Sequence, residues 1–249
     1  MTLAGRRVVV TGGSRGIGRA IVLACAREGA AVAFNYASNE AAASETANAA
    51  RALGAAVCTG RADVADAAAV AAFFAQVRAE LGGPADVLVN NAAVTHDALL
   101  MMTGDAAWDR VLDTNLKGAF LCTKIALRGM IGGHWGRIIN VVSPAAFLGK
   151  EGAGAYAASK GGLVAMTKSL AREVARYGIT VNAVSPGLVD TGLIAGMAPE
   201  HRETLQGRIP LGRLATPEEV AAAVVYLAST GAACVTGTTL HVDGGLTML

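Results

Sequence analysis

The sequence predicts an α/β fold, a single domain over residues 1–249 built as a doubly wound parallel sheet flanked by helices. Three observations carry that expectation. Short Val/Ile/Leu-rich runs alternate with longer Ala-rich segments, as repeated strand–helix units do. The short runs are continuously apolar, which marks strands covered on both faces. A glycine-rich turn follows the first run and opens the first helical segment, the place where such sheets bind phosphate groups.

In chain order, Arg7–Val10, Ala31–Phe34, Ala56–Thr59, Val87–Asn90, Arg137–Val142, Thr180–Val184 and Thr239–Val242 read as strands. Helices are expected at about Gly16–Glu28, Glu40–Leu53, Asp66–Leu81, Asp105–Met130, Ala155–Tyr177 and Pro217–Leu227. The last opens Thr216-Pro217-Glu218-Glu219, an N-cap, a proline at the first helical position and acids in the first turn. Gly187–Pro210 is rich in Gly and Pro around an apolar stretch, GLIAGM. It reads as a mobile insertion between a strand and the next helix.

Composition excludes several function classes. The chain is 53% hydrophobic with mean hydropathy +0.45, yet no window offers the roughly 18 uninterrupted apolar residues of a membrane span. The net charge is +2, and Lys and Arg form no runs, so there is no nucleic-acid footprint. The N-terminus turns straight into a strand and lacks a signal-peptide h-region, and Cys25, Cys58, Cys122 and Cys234 are scattered. These features suggest a cytoplasmic protein with reduced, buried thiols. His96, His134, His201 and His241 show no ligand spacing with the cysteines, so no metal is expected.

The glycine turn is Thr11-Gly12-Gly13-Ser14-Arg15-Gly16-Ile17-Gly18. Glycines there let backbone N–H groups approach a pyrophosphate at a positive helix end. NAD binders place an acid at the end of the second strand to hold the ribose hydroxyl. Here the run is Asn35-Tyr36-Ala37-Ser38, with no acid before Glu40. A missing carboxylate, with Arg15 in the glycine loop, favours a 2′-phosphate and hence NADP(H); Arg15 could instead face solvent. Asp63-Val64 ends the third strand, where Asp63 could accept from an adenine amino group or cap a helix. Asn90-Asn91-Ala92-Ala93 ends the fourth, at the carboxyl edge where α/β sheets bind ligands. The two asparagines could tie neighbouring loops or face the cofactor.

Tyr156-Ala157-Ala158-Ser159-Lys160 puts a phenol and an amine on one helical face. A free Tyr, with a pKa of about 10, is a poor acid near neutrality; a neighbouring ammonium is expected to stabilise the phenolate and bring it into range. Ser143 ends the fifth strand thirteen residues earlier, and its hydroxyl could donate to a carbonyl developing negative charge. Asn115, polar within the apolar stretch TNLKGAFL, could kink its helix and hold a water linking Lys160 to solvent, or be a hydrogen-bonded core residue.

Taken together, Thr11-Gly12-x-x-x-Gly16-x-Gly18, Asp63, Asn90-Asn91-Ala92, Asn115, Ser143, Tyr156, Lys160, Pro186-Gly187 with Thr191, and Val242-Asp243-Gly244-Gly245 resemble the short-chain dehydrogenase/reductase family along the whole chain. The resemblance implies a Rossmann fold and hydride transfer to or from nicotinamide. It implies Tyr156 as acid/base, Ser143 orienting the carbonyl, Lys160 on the ribose and Asn115 on a proton-relay water. Pro186, Gly187, Val189 and Thr191 would complete the cofactor site. A homotetramer is also implied, with the two long helices pairing between subunits. Asn90–Met101, Ser169–Val174 and Pro210–Leu214 are most similar to the 3-oxoacyl-(acyl-carrier-protein) reductases. That similarity implies NADPH-dependent reduction of a 3-oxoacyl thioester, on acyl carrier protein or CoA, under a lid at 187–210. The same chemistry on another ketone, sugar or alcohol is the alternative. The chain departs from that pattern at Ala93 for the usual glycine, at Pro144 after the serine, at His96 for a usual base and in the charge-poor turn Gly132–Gly136.

Overall fold

The structure, a computed structural model, describes residues 1–190, 203, 204 and 206–248. Its centre is a parallel sheet of β1 (Arg7–Val10), β2 (Ala31–Tyr36), β3 (Val57–Arg61), β4 (Val87–Asn90), β5 (Gly136–Val141), β6 (Ile179–Pro186) and β7 (Thr239–Val242). The order β3-β2-β1-β4-β5-β6-β7 reverses direction between β1 and β4. Ligands bind in the crevice that such a reversal opens at the carboxyl ends of the strands.

Side-chain alternation sorts each strand onto two apolar layers. Val8, Val10 and Phe34 pack against Ile21 of helix α1 (Gly16–Arg27), α2 (Glu40–Ala52) and Val224 of α8 (Pro217–Ala228). Val9, Leu88 and Ile138 face Phe73 of α3 (Ala67–Glu80), Met130 of α5 (Gly118–Gly133) and Leu170 of α7 (Gly154–Val174). Each fully buried Val, Leu or Ile contributes about 1.5–3 kcal/mol, which explains why the sheet tolerates few polar residues. The α8 cap forms as expected: Thr216 Oγ1 accepts from Glu219 N at 3.2 Å while Glu219 Oε2 accepts from Thr216 N at 2.8 Å.

The long helix expected at Asp105–Met130 is not continuous. It runs as α4 (Asp105–Leu112), a π turn over Asp113–Lys117, and α5. The inward-facing Asn115 sits in that turn, and its side chain is spent on a neighbouring loop. The helix expected to reach Tyr177 ends at Val174 and tightens to a 3-10 turn, Ala175–Tyr177. Short α6 (Ala145–Leu148) follows Ser143; four residues leave no periodicity to read. Cys25, Cys58 and Cys122 are buried, and burial pushes all three thiols up to about 12. Cys234 is exposed, contrary to the expectation of four buried thiols. No helix among the described residues is long and apolar enough to cross a membrane.

Candidate active site

The glycine loop is shaped by close backbone approaches. Gly12 has φ +66, and a Cβ there would lie 3.1 Å from Ala92 Cα. A Cβ on Gly13 would meet Phe34 at 2.5 Å, and one on Gly18 would collide with the Gly12 carbonyl oxygen. Helix α1 then begins with no side-chain cap and no acid in its first turn, so the N–H groups around Gly16, Ile17 and Gly18 are open to an anion. Ser14 offers its carbonyl to Thr46 Oγ1 at 2.9 Å, which ties the loop to α2. Arg15 is exposed at the N-cap position.

Beside the loop, the Asn35 side chain turns inward. It is buried: Oδ1 accepts from Gly12 N at 3.1 Å and Nδ2 donates to the Ala62 carbonyl at 2.7 Å. It braces the glycine turn against the end of β3. Tyr36, half-buried, is the last residue of β2. Asp63 is exposed and accepts from Ala65 N at 2.9 Å, while Asp66 is the N-cap of α3. Neighbouring Val64 is buried against Gly118 at the start of α5.

At the end of β4, Asn91 Nδ2 donates to the Thr11 and Gly12 carbonyls at 2.9 and 3.1 Å. Thr11 Oγ1 accepts from the backbone N–H groups of Asn91 and Ala92. Asn91 therefore ties the end of β4 to the glycine turn that follows β1. Asn90 acts deeper in the core, donating to Thr123 Oγ1 at 3.0 Å and Asn140 Oδ1 at 2.8 Å; Asn140 in turn donates to Thr167 Oγ1 at 2.8 Å.

The chemical residues meet over the ends of β5 and β6. Ser143 follows β5, its Oγ accepting from Ala145 N at 3.3 Å, and its side chain acts to lower the pKa of the Tyr156 phenol. Lys160 is buried, with Nζ donating to the Val141 carbonyl at 2.7 Å and lying 5.7 Å from the Tyr156 ring centroid. Burial lowers the Lys160 pKa to about 8. Burial also raises that of Tyr156, Asp97 adds to the rise, and Ser143 opposes it. The expected lowering of the phenol by Lys160 is therefore not what the structure shows. The amine is turned to a backbone carbonyl, and desolvation of the phenolate dominates.

Asn115 reaches this site through Ser159. Its Nδ2 donates to Ser159 Oγ at 3.0 Å and to the Val94 carbonyl at 2.9 Å, while its Oδ1 accepts from Val94 N at 2.8 Å. Ser159 Oγ donates to the Tyr156 carbonyl at 2.7 Å. Both amide hydrogens and one lone pair of Asn115 are spent on the protein. A relay water is left its second lone pair or the main chain of the π turn. Ser159, Asn140 and Thr167 were not singled out in the sequence; a hydroxyl inside the Tyr-to-Lys turn and an Asn within an apolar strand were the available signals. Pro186 ends β6, and a Cβ on Gly187 would lie 2.6 Å from Asp243 Cβ. Val189 bridges to Ala215. Thr191 and most of the 187–210 segment lie outside the described residues.

Residues 12–247 match a family model described as Enoyl-(Acyl carrier protein) reductase. The chain is 44% identical over 248 residues to the 3-oxoacyl-(acyl-carrier-protein) reductase FabG of Pseudomonas aeruginosa, with all of both chains covered. It is 41% identical over 249 residues to FabG of Escherichia coli, again with full coverage of both. A solved double mutant of a short-chain dehydrogenase/reductase from Serratia marcescens superposes with TM-score 0.93 at 39% identity over all of both chains. Similarity of this extent, in sequence and in fold, places the chain in the short-chain dehydrogenase/reductase family of nicotinamide-dependent oxidoreductases.

Proposed function

We propose that the protein reduces a 3-oxoacyl thioester, carried on acyl carrier protein or CoA, to the 3-hydroxyacyl product with NADPH. The observation that carries this reading is the half-buried Tyr156 with Ser143 acting on its phenol and the buried Lys160 amine 5.7 Å from its ring. The relatives named as 3-oxoacyl reductases at 41–44% identity supply the substrate class. The cofactor fits the residues present. The uncapped start of α1 suits a pyrophosphate, and the end of β2 carries no acid that would repel a 2′-phosphate, with Arg15 exposed nearby in sequence to meet one.

Bound there, the nicotinamide supplies the hydride for the carbonyl carbon. Tyr156 is the acid: burial keeps its proton on at neutral pH, ready for the carbonyl oxygen. Ser143 donates to that oxygen as charge develops. Lys160 holds the ribose and, with a pKa lowered to about 8, can pass a proton inward to re-protonate Tyr156. Asn115 fixes the turn of α7 that carries the phenol. Asp63, Val64, Asn91, Ala92, Pro186, Gly187, Val189 and Thr191 belong to the cofactor site in this reading, and 187–210 to a lid over the acyl chain. A cytoplasmic homotetramer is part of the same reading and rests on the family resemblance.

NADPH oxidation with acetoacetyl-CoA tests the proposal, with NADH and crotonyl-CoA in parallel. Turnover of the ketone with NADPH, little with NADH, and loss of at least about 100-fold in Tyr156→Phe is the expected result. Turnover of crotonyl-CoA instead would move the chemistry to double-bond reduction, as the family description names. Turnover of neither, with NADPH still quenching Trp fluorescence, would move the substrate to another ketone or alcohol.

A further inference from the structure

One guanidinium at the rim of the glycine-loop crevice takes no part in the site described above. Arg61 is the last residue of β3, the outermost strand, and stands beside Tyr36, the last residue of β2, in the parallel register. Its Nε donates to the Ala37 carbonyl at 3.1 Å, so the side chain lies across the first residue after β2. Side-chain alternation puts Arg61 on the same face of the sheet as Val57 and Tyr36, which pack against the layer formed with α1 and α2. Arg15 is the N-cap of α1 and so opens a helix of that same layer.

The end of the second strand is where nucleotide cofactors are told apart. A carboxylate there holds a ribose 2′-hydroxyl, whereas an arginine nearby accommodates a 2′-phosphate. The segment after β2 is Ala37-Ser38-Asn39, and Asn39 is already spent, its Oδ1 accepting from Ala42 N at 3.0 Å to cap α2. Two acids stand close in the chain. Glu40 lies in the first turn of α2, and Asp63 is turned to Ala65 N at 2.9 Å. Neither pairs with Arg61 among the described residues. Arg61 is exposed, and among those residues its terminal amines make no hydrogen bond. A guanidinium is a rigid fork of N–H donors matched to phosphate. Here Nε fixes the fork on Ala37 and both amines stay open.

We propose that Arg61 is a specificity-determining residue for the cofactor: anchored on Ala37, it meets the 2′-phosphate of NADP(H) from the β3 side, while Arg15 meets it from the glycine loop. The inference deepens the NADPH reading above and rests on it. An Arg61 that merely held the end of β2 through Ala37 would support every adenine nucleotide alike. The two roles therefore differ in the preference between cofactors with and without the 2′-phosphate, not in overall binding.

The experiment is calorimetric titration of the full-length protein with NADP⁺ and with NAD⁺, which differ by the 2′-phosphate alone; no turnover is needed. Arg61→Met should weaken NADP⁺ at least about 10-fold, the loss expected of hydrogen bonds to a charged group, and leave NAD⁺ within about twofold. Arg61→Glu sets a like charge against the phosphate and should weaken NADP⁺ further than Arg61→Met does. Equal weakening of both cofactors in Arg61→Met would assign the residue to the loop alone and overturn the proposal. A preference for NADP⁺ that survives both substitutions would also overturn it, leaving the NADPH reading intact with Arg15 as the phosphate's partner. A wild-type protein that binds NAD⁺ as tightly as NADP⁺ would retire the NADPH reading itself, and Arg61's role with it.

Discussion

Lys160 is held where burial works against its charge. It is 2% exposed, and its amine has one carbonyl partner, Val141, at 2.7 Å. Burying an ammonium without an anion is costly, and the amine answers by letting go of its proton near pH 8 instead of 10.5. The unfolded chain keeps that proton to 10.5, so between the two values unfolding takes a proton up. Stability from this group therefore rises with pH across that window, and below about 8 the full cost of burial is present. Lys160→Met should be as stable as the wild type or more so at pH 7, and should lose the wild-type gain in thermal midpoint between pH 7 and 9.5. Activity should fall at least about 100-fold. Equal pH slopes in the two proteins would show that Lys160 is not the source. Tyr156 is the complement of this residue, because burial strengthens its hold on the proton and so keeps it an acid at neutral pH.

At the scale of elements, the π turn between α4 and α5 is where local structure and site meet. With Asn115 turned inward, one side chain holds both polar groups of Val94 and, through Ser159, the first turn of α7. Asn115→Ala leaves the part-buried Val94 N–H and carbonyl without these partners, and each such loss costs about 1 kcal/mol or more. The thermal midpoint should fall by roughly 5 °C or more, with activity reduced as well. A variant that loses activity at unchanged midpoint would instead assign Asn115 to a relay water alone.

Across the whole molecule, the strand order decides where chemistry can occur. Because β1 and β4 are neighbours, the glycine loop and Asn91 come together at the switch point. Because β5 and β6 follow, Ser143 and the Pro186–Gly187 turn line the same edge. The outer surface retains large apolar side chains, including Leu100, Met101 and Met102 at 65%, 87% and 70% exposure and Phe120 of α5 at 48%. Exposed apolar groups of this size mark association surfaces. If subunits pair through α5 and α7, light scattering should return about four times the 25.0 kDa chain mass, and Phe120→Asp should shift it to smaller species. A monomer in both would remove the tetramer from the proposal.

The amino-acid sequence by itself determined the parallel sheet and the order of its elements, and it put Tyr156 and Lys160 on one helical face. Continuous Val/Ile runs have no other economical burial, and the Tyr-to-Lys spacing is a property of any helix. Tertiary structure alone decided what each polar group faces. Asn35 is a brace because Gly12 and Ala62 approach it from distant strands. The phenol's shift reversed sign because burial, which no spacing reveals, outweighs a charge one helical turn away. The sequence offered Asn115 as a kink in its helix, and the structure alone decided that its amide meets Val94 and Ser159.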